Sequence, residues 1–469
     1  MSNSLQSQMF DELSDKQIFE AAKRSAFAYL SDTTTRRAYP STTAICALER
    51  FVEDLPQATG NGAEIIRMLD VLGSPATAAS TGGRYFGFVN GGAIPTALGA
   101  RWLADVWDQN SALFKMSPVS AKLEEVCQSW LKTIFKLPTQ TVAGFVSGTS
   151  SAILCGLAAG RYRAFQNQGW NINQQGLRNA PPVRIVTSRE AHGSVAKAVA
   201  MLGLGTENIE WVEVDDQGRI RVEEVPGLDE SSILVLQAGN VNSGAFDNFE
   251  VLCDQARAAG AWVHIDGAFG LWAAACPALS YLARGIESAA SWSVDGHKTL
   301  NTPYDCGVIL CRDKEALVAA LQASGAYINY SASRDGMLYT PEMSRRARAT
   351  ELWATLKYLG VSGINELVSG FHVRAVQFAL ELIREGFEVL NDVAFNQVLV
   401  ACESDAITER VIRYLQQSGE CWVGGSSWRE RAVIRISVCS WATTEQDVSR
   451  AVAAFVQARS DARCHTTAY

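Results

Sequence analysis

Residues 261–270 read Ala-Trp-Val-His-Ile-Asp-Gly-Ala-Phe-Gly. This is an apolar run of strand length that stops on an aspartate and a glycine. A short run with little polar alternation suits a strand buried on both faces, as in a mostly parallel sheet. Working outward, VRIVTS (183–188) and SILVLQAG (232–239) precede it, and SWSVDG (291–296) and CGVILCRD (306–313) follow. Most end on Gly, Asp or Ser, and helical segments lie between several of them, so the class is α/β. LEEVCQSWLKTIF (123–135) has the spacing of an amphipathic helix. The central α/β domain is expected over residues 79–370. Before it, residues 1–78 read as a helical segment, with DKQIFEAAKRSAFAYLSD and GNGAEIIRMLDVLG near helical spacing. After it, residues 371–469 read as a small α+β domain, with strands in FEVL, NQVLVACE and AVIRISVC and helices near ITERVIRYLQQ and EQDVSRAVAAFVQA.

The chain has 469 residues, 48% hydrophobic and 19% charged, with a net charge of −8. That is enough chain for a large core and more than one domain. An acidic balance argues against a general nucleic-acid binder, which needs a basic face. No apolar run reaches the roughly 18 residues of a membrane span, so no membrane partner is expected. The polar, acidic start MSNSLQSQMFDELSDKQ does not read as a signal peptide. The 11 cysteines form no CxxC pair and no zinc-like spacing with the five histidines, so no metal is expected. An odd number of thiols in a large chain suits a reducing, cytoplasmic setting.

Four motifs carry chemistry. In Ser293-Val294-Asp295-Gly296-His297-Lys298-Thr299 a lysine follows a buried strand and sits beside a histidine. Desolvation there makes its amine a candidate for Schiff-base chemistry; the alternative is an ordinary loop lysine. In His264-Ile265-Asp266-Gly267-Ala268-Phe269-Gly270, Asp266 ends a strand at the sheet edge where α/β ligand sites gather. It is a candidate to hold a pyridine nitrogen protonated, or else a turn cap. In Val146-Ser147-Gly148-Thr149-Ser150-Ser151-Ala152, small residues open a helix and offer backbone N–H groups and hydroxyls to a phosphate, although Ser and Thr also cap helices with no ligand. In Glu190-Ala191-His192-Gly193-Ser194, an imidazole is expected at the same edge, stacking on a cofactor ring or capping a helix.

The order of these motifs, most after strands of one sheet, resembles the group II decarboxylases that use pyridoxal 5'-phosphate. These are fold-type I enzymes acting on aromatic amino acids, glutamate or diaminobutyrate. The likeness runs from about Gly83 to Trp353 through GRYFGF, SPVSAKLEEV, GTSS, REAHGSV, AFDNFE, HIDGAFG, DGHKTLNTPYDCGV and SRRARATELW. DGHK with its downstream YDC is the most specific. The resemblance implies pyridoxal 5'-phosphate held on Lys298, Asp266 at the pyridine nitrogen, and His192 on one ring face with Ala268 on the other. Gly148, Thr149, Ser150, Ser151 and His297 would surround the phosphate. It also implies a homodimer with a swapped N-terminal helical segment and active sites at the subunit interface.

Three departures bear on the reaction. The loop that carries a proton-donating tyrosine in this family is shortened, and GAYINYSASRDGMLYTPEMSRR offers Tyr327, Tyr330 and Tyr339. Tyr327 matches best. The expected substrate pocket, with Phe88, Val89 and Asn110, lacks several bulky groups of the aromatic enzymes. LQAGNVNSGAFD replaces a Thr-rich turn and brings Asn240 and Asn242, for ligand contacts or plain turn chemistry. The expected activity is decarboxylation of an L-amino acid to the amine and CO2. Oxidative decarboxylation to an aldehyde, transamination and carbon–carbon lysis are alternatives on the same scaffold, as is a non-catalytic dimer.

Overall fold

The computed structural model describes residues 4–322 and 330–464. Seven strands form the main sheet: β1 (Val142–Val146), β2 (Arg184–Ser188), β3 (Ile209–Val212), β4 (Ser232–Gln237), β5 (Trp262–Asp266), β6 (Ser291–Asp295) and β7 (Gly307–Cys311). Their order is β1-β7-β6-β5-β4-β2-β3. The β2–β3, β2–β4, β4–β5 and β5–β6 pairs are parallel. Both β1 and β6 run antiparallel to β7. All strands but β7 therefore point one way and end along one edge. The mostly parallel α/β sheet expected from the apolar runs is what forms.

The physical reason is burial on both faces. Every residue of β1, β4, β5, β6 and β7 is buried. Side chains alternate sides along a strand, and the core divides accordingly. Phe145, Leu234, Leu236, Ile265 and Val294 join one apolar cluster, which the helices α1 (Pro118–Ile134) and α4 (Ala349–Arg384) cover through Cys127, Leu131, Leu352 and Leu356. Val146, Ile233, Val235, Trp262 and Ile309 join the other, under α2 (Thr149–Asn167) and α3 (Gly193–Met201). Glycines let α2 lie close. A Cβ on Gly156 would come within 2.5 Å of the His264 ring.

His264 is fully buried under α2, with Nδ1 2.8 Å from the Ser291 hydroxyl and no partner for Nε2 among the described residues. Burial pushes its pKa down to about 3. The unfolded chain then takes up this proton first as pH falls, so the stabilisation is present above pH 6.5 and is lost on the way toward 3. His264→Asn should flatten the fall of the guanidinium midpoint between pH 6.5 and 5. The slope should drop by up to one proton, about 1.4 kcal/mol per pH unit. An unchanged slope would mean that His264 is not the group charged on unfolding.

The chain divides into two compact units. One holds Phe88–Val400 and Arg435–Trp441, including the main sheet; the other holds the residues up to Gly87, Ala401–Ile434 and those from Ala442 onward. The expected boundary at residue 370 falls inside α4. In the second unit Tyr85 stacks on Trp422 with ring centroids 4.9 Å apart, and Arg84 donates to the Arg36 carbonyl at 2.9 Å. Its first two helices, Leu5–Asp15 and Gln17–Asp32, bury no residue, and Leu5, Met9, Phe10, Leu13, Phe19 and Phe27 are each at least half exposed. The C-terminal segments supply a smaller four-stranded sheet, β8 (Glu388–Val389), β9 (Gln397–Ala401), β10 (Gly424–Trp428) and β11 (Arg431–Ser437), in the order β10-β11-β9-β8. No described helix is long and apolar enough to cross a membrane.

Candidate active site

The shared strand direction brings the motif residues to one edge of the sheet. Register places Gln237 opposite Asp266 and Asp266 opposite Ser293, so β4, β5 and β6 finish side by side. Asp266 is 6% exposed. Its Oδ1 accepts the Ala268 N–H at 3.2 Å and the Ser293 hydroxyl at 3.4 Å, and Oδ2 has no hydrogen-bond partner among the described residues. Burial raises its pKa, opposed by the nearby charges of His192 and Lys298.

His192 opens α3 and caps it. The Ser194 N–H donates to Nδ1 at 3.2 Å, and the Ser194 hydroxyl lies 2.6 Å from the same nitrogen. A nitrogen that accepts a backbone N–H carries no proton, so the neutral ring's proton sits on Nε2. Desolvation lowers the His192 pKa; Asp266 and Asp295 oppose the shift, while Lys298 and Arg435 add to it. His192, Asp266 and Lys298 are thus close enough for each charge to act on the others.

Lys298 sits on a turn held from several sides. Asn301, buried at φ 56°, donates through Nδ2 to the carbonyls of Lys298 (3.1 Å) and Cys439 (2.8 Å), and its Oδ1 accepts the N–H groups of Gly92 and Trp441, each at 2.8 Å. The Phe88–Gly91 segment runs against this turn. A Cβ on Gly91 would come within 2.1 Å of the Lys298 carbonyl oxygen. Tyr304 donates to Asn90 Oδ1 at 3.1 Å and packs on the His297 ring, centroids 4.3 Å apart.

The Lys298 amine lies 3.1 Å from Asp295 Oδ2, and His297 Nε2 lies 3.5 Å from the same oxygen. His297 is itself buried, which lowers its pKa, and its Nδ1 accepts the Cys306 N–H at 3.1 Å. Asp295 also accepts the Thr149 N–H at 2.8 Å and the Thr149 hydroxyl at 2.9 Å. The first donors of α2 are therefore engaged by Asp295. Ser150 is exposed, and its N–H makes no hydrogen bond among the described residues. Ser151 faces Ser147, hydroxyl to hydroxyl, at 3.2 Å, and Gly148 lies between them in extended backbone. Ala268 bridges the two strand ends, its carbonyl accepting the Asp295 N–H at 2.9 Å.

The other expected residues are placed less uniformly. Phe88 is 63% exposed, whereas Val89 lies in the core. The Asn110 amide donates to the Ser344 hydroxyl at 3.2 Å and accepts the Ala112 N–H at 3.1 Å, so it joins two chain segments. Asn240 Oδ1 accepts the N–H groups of Asn242 and Ser243 at 2.9 and 3.1 Å, which is turn chemistry. Tyr327 lies outside the described residues. Tyr330 is 40% exposed, and Tyr339 is buried with the Arg334 guanidinium 4.6 Å from its ring centre.

Asp295, Asn301 and Arg435 were not singled out from the sequence. Asp295 had a usable signal, because it ends an apolar strand in the same way as Asp266. The charge of Arg435 acts on His192 from a distant part of the chain, and no local pattern announces it.

A half-buried lysine paired with a buried carboxylate, a second desolvated carboxylate with one unpaired oxygen, an imidazole and a helix N-terminus on one sheet edge define a site of the pyridoxal 5'-phosphate type. The donors fit that group. Asp266 can take a pyridinium N–H, and the start of α2 retains donors for a phosphate. The sequence profile of the pyridoxal-dependent decarboxylase conserved domain matches residues 76–401. Tyrosine decarboxylase 4 of Petroselinum crispum is 26% identical over 373 residues, 72% of each chain. Human cysteine sulfinic acid decarboxylase is 27% identical over 330 residues, 67% of this chain and 66% of its own. Among solved structures, Oryza sativa TDC, crystallised with PLP and tryptamine, superposes with a TM-score of 0.87 at 19% identity, covering 98% of this chain and 99% of its own. The chain belongs to the pyridoxal-dependent decarboxylase family, and it is a pyridoxal 5'-phosphate enzyme of that type.

Proposed function

We propose that this protein removes the α-carboxyl group of an L-amino acid as CO2 and leaves the amine. The observation that carries the reading is the meeting of Lys298, Asp266 and His192 at the ends of three different chain segments on one edge. When bound, the cofactor supplies an aldehyde carbon for a nitrogen to attach to and a pyridinium ring that draws electrons from the breaking bond. Lys298 holds that carbon until the substrate nitrogen takes its place. Asp266 keeps the proton on the pyridine nitrogen, because a desolvated carboxylate gains most by facing a cation. His192, oriented by its Ser194 bonds and biased toward the neutral form, would cover one face of the ring and present Nε2–H to the substrate, with Ala268 toward the other face. Gly148, Thr149, Ser150, Ser151 and His297 border the phosphate. Phe88, beside the lysine turn, borders the substrate, as do Val89 and Asn110 by shaping that wall.

Tyr327 delivers the proton to the substrate carbon after CO2 leaves. In Tyr327→Phe that carbon waits longer and is open to O2, so aldehyde, ammonia and peroxide should rise at the expense of amine while CO2 release continues. Tyr330→Phe is the parallel comparison. If the wild type makes amine and neither variant changes the product ratio, the proton comes from elsewhere.

A homodimer is part of this reading. The apolar side chains at Leu5, Met9 and Leu13 share one helix face, and a second copy covering them matches the family resemblance. The acidic chain and its 11 unpaired cysteines support a cytoplasmic location. The deciding experiment is a screen of the holoenzyme against the common L-amino acids plus diamino and sulfinic ones, with CO2, amine, aldehyde and peroxide all measured. Amine with stoichiometric CO2 from one substrate class supports the proposal. Aldehyde with peroxide, or keto acid without CO2, would replace it with another reaction of the same site.

A further inference from the structure

Beside Lys298, the buried Asp295 carboxylate has no role so far. It is 1% exposed, and its backbone is locked on both sides. Its N–H donates to the Ala268 carbonyl at 2.9 Å, and its carbonyl accepts the Trp272 indole N–H at 2.9 Å. The carboxylate cannot swing away. Oδ1 takes the Thr149 N–H, and Oδ2 takes the Thr149 hydroxyl and faces the Lys298 amine at 3.1 Å. His297 is the other group at Oδ2, at 3.5 Å, and its lowered pKa leaves it a neutral neighbour. The Lys298 ammonium is therefore the charge that balances this buried carboxylate.

We propose that Asp295 is a positioning residue that holds the Lys298 amine each time the substrate displaces it. This inference rests on Lys298 being the cofactor lysine. In the exchange, the carbon–nitrogen double bond to Lys298 breaks and one to the incoming nitrogen forms. The substrate arrives as an ammonium and lysine leaves as one, so protons balance with no outside donor. The released ammonium needs a partner in a desolvated site, and charge-assisted hydrogen bonds are about twice as strong as neutral ones. Asp295 stabilises the released state and leaves the lysine-bound state less affected, so it favours the exchange. Asn at this position still accepts the Thr149 N–H, but its amide carries no charge for the lysine.

The test reads the exchange directly, without turnover. Holoenzyme is equilibrated with increasing methylamine and reduced with borohydride. The fraction of cofactor trapped on Lys298 is then measured by peptide mass spectrometry against the fraction trapped on methylamine. In Asp295→Asn the methylamine concentration for half displacement should rise at least tenfold, with the cofactor retained on gel filtration. Ser151→Ala, which removes a hydroxyl from the same helix start that faces Ser147 and not Asp295, should loosen cofactor retention and move the half-displacement point less than about threefold. Should Asp295→Asn fail to fold by circular dichroism, Asp295→Ser carries the same comparison. An unchanged or lower half-displacement point in the folded variant overturns the proposal and leaves Asp295 as a helix cap. No trapping on Lys298 in the wild type would instead overturn the assignment of the lysine itself.

Discussion

Lys298→Ala should abolish the visible absorbance of the bound cofactor and lower turnover by roughly four orders of magnitude or more, the scale of removing the nucleophile from other covalent enzymes. The reason is local. Among the described residues Lys298 is the only amine paired with the buried Asp295, at 3.1 Å, on a turn fixed by Asn301. No other lysine in the described structure forms an ion pair with a carboxylate of this sheet edge. Borohydride reduction of the wild type should mark this residue alone. Label on a different lysine would remove Lys298 from the mechanism. The substitution also strips a buried carboxylate of its balancing charge, so some loss of apoenzyme stability should accompany the loss of activity. Lys298→Arg separates the two effects. It keeps a cation near Asp295 but offers no free amine, so stability should recover while activity does not.

Asp266→Asn should cost about a thousandfold or more in turnover, the size of losing a central electrostatic group. Its effect on folding should have the opposite sign. Asn can still accept the Ala268 N–H and the Ser293 hydroxyl, so the turn survives. Burial raises the Asp266 pKa above that of the unfolded chain. The folded apoenzyme therefore holds this charge at a cost that grows as pH rises above the ordinary carboxylate range. The variant apoenzyme should match or exceed the wild type in thermal stability at pH 7. Near-normal turnover in the variant would make Asp266 a turn residue. A large loss of stability would show that its carboxylate is structural. A residue kept at some expense to folding and required for activity is what a functional site looks like energetically.

Much of this was legible in the chain itself. The runs SILVLQ and GVILC carry apolar residues on both parities, and only burial on two faces accommodates them, so the mostly parallel sheet followed from local pattern. Residues that end such strands fall at the sheet edge, which made Asp266 and Lys298 visible as candidates. Other features were not legible for a definite reason. The bond from the Asn110 amide to Ser344 spans more than two hundred residues of chain and leaves no local signal. The packing of Tyr339 beneath Arg334 leaves none either. Pairings of this kind depend on long-range packing, which short-range spacing does not encode.

The sequence by itself determined the class of sheet, the order of the chemical motifs along it and the kind of cofactor they suit. These depend on hydrophobic period and on residue type at strand ends, both local properties. Only the tertiary structure decided which groups share a charge. It set the Thr149 donors and the Lys298 amine on one buried carboxylate, Asp295, and brought Arg435 within electrostatic reach of His192 from the far end of the unit. Interactions between charges vary with distance and with the exclusion of water, and both are fixed only when separate segments of the chain pack together.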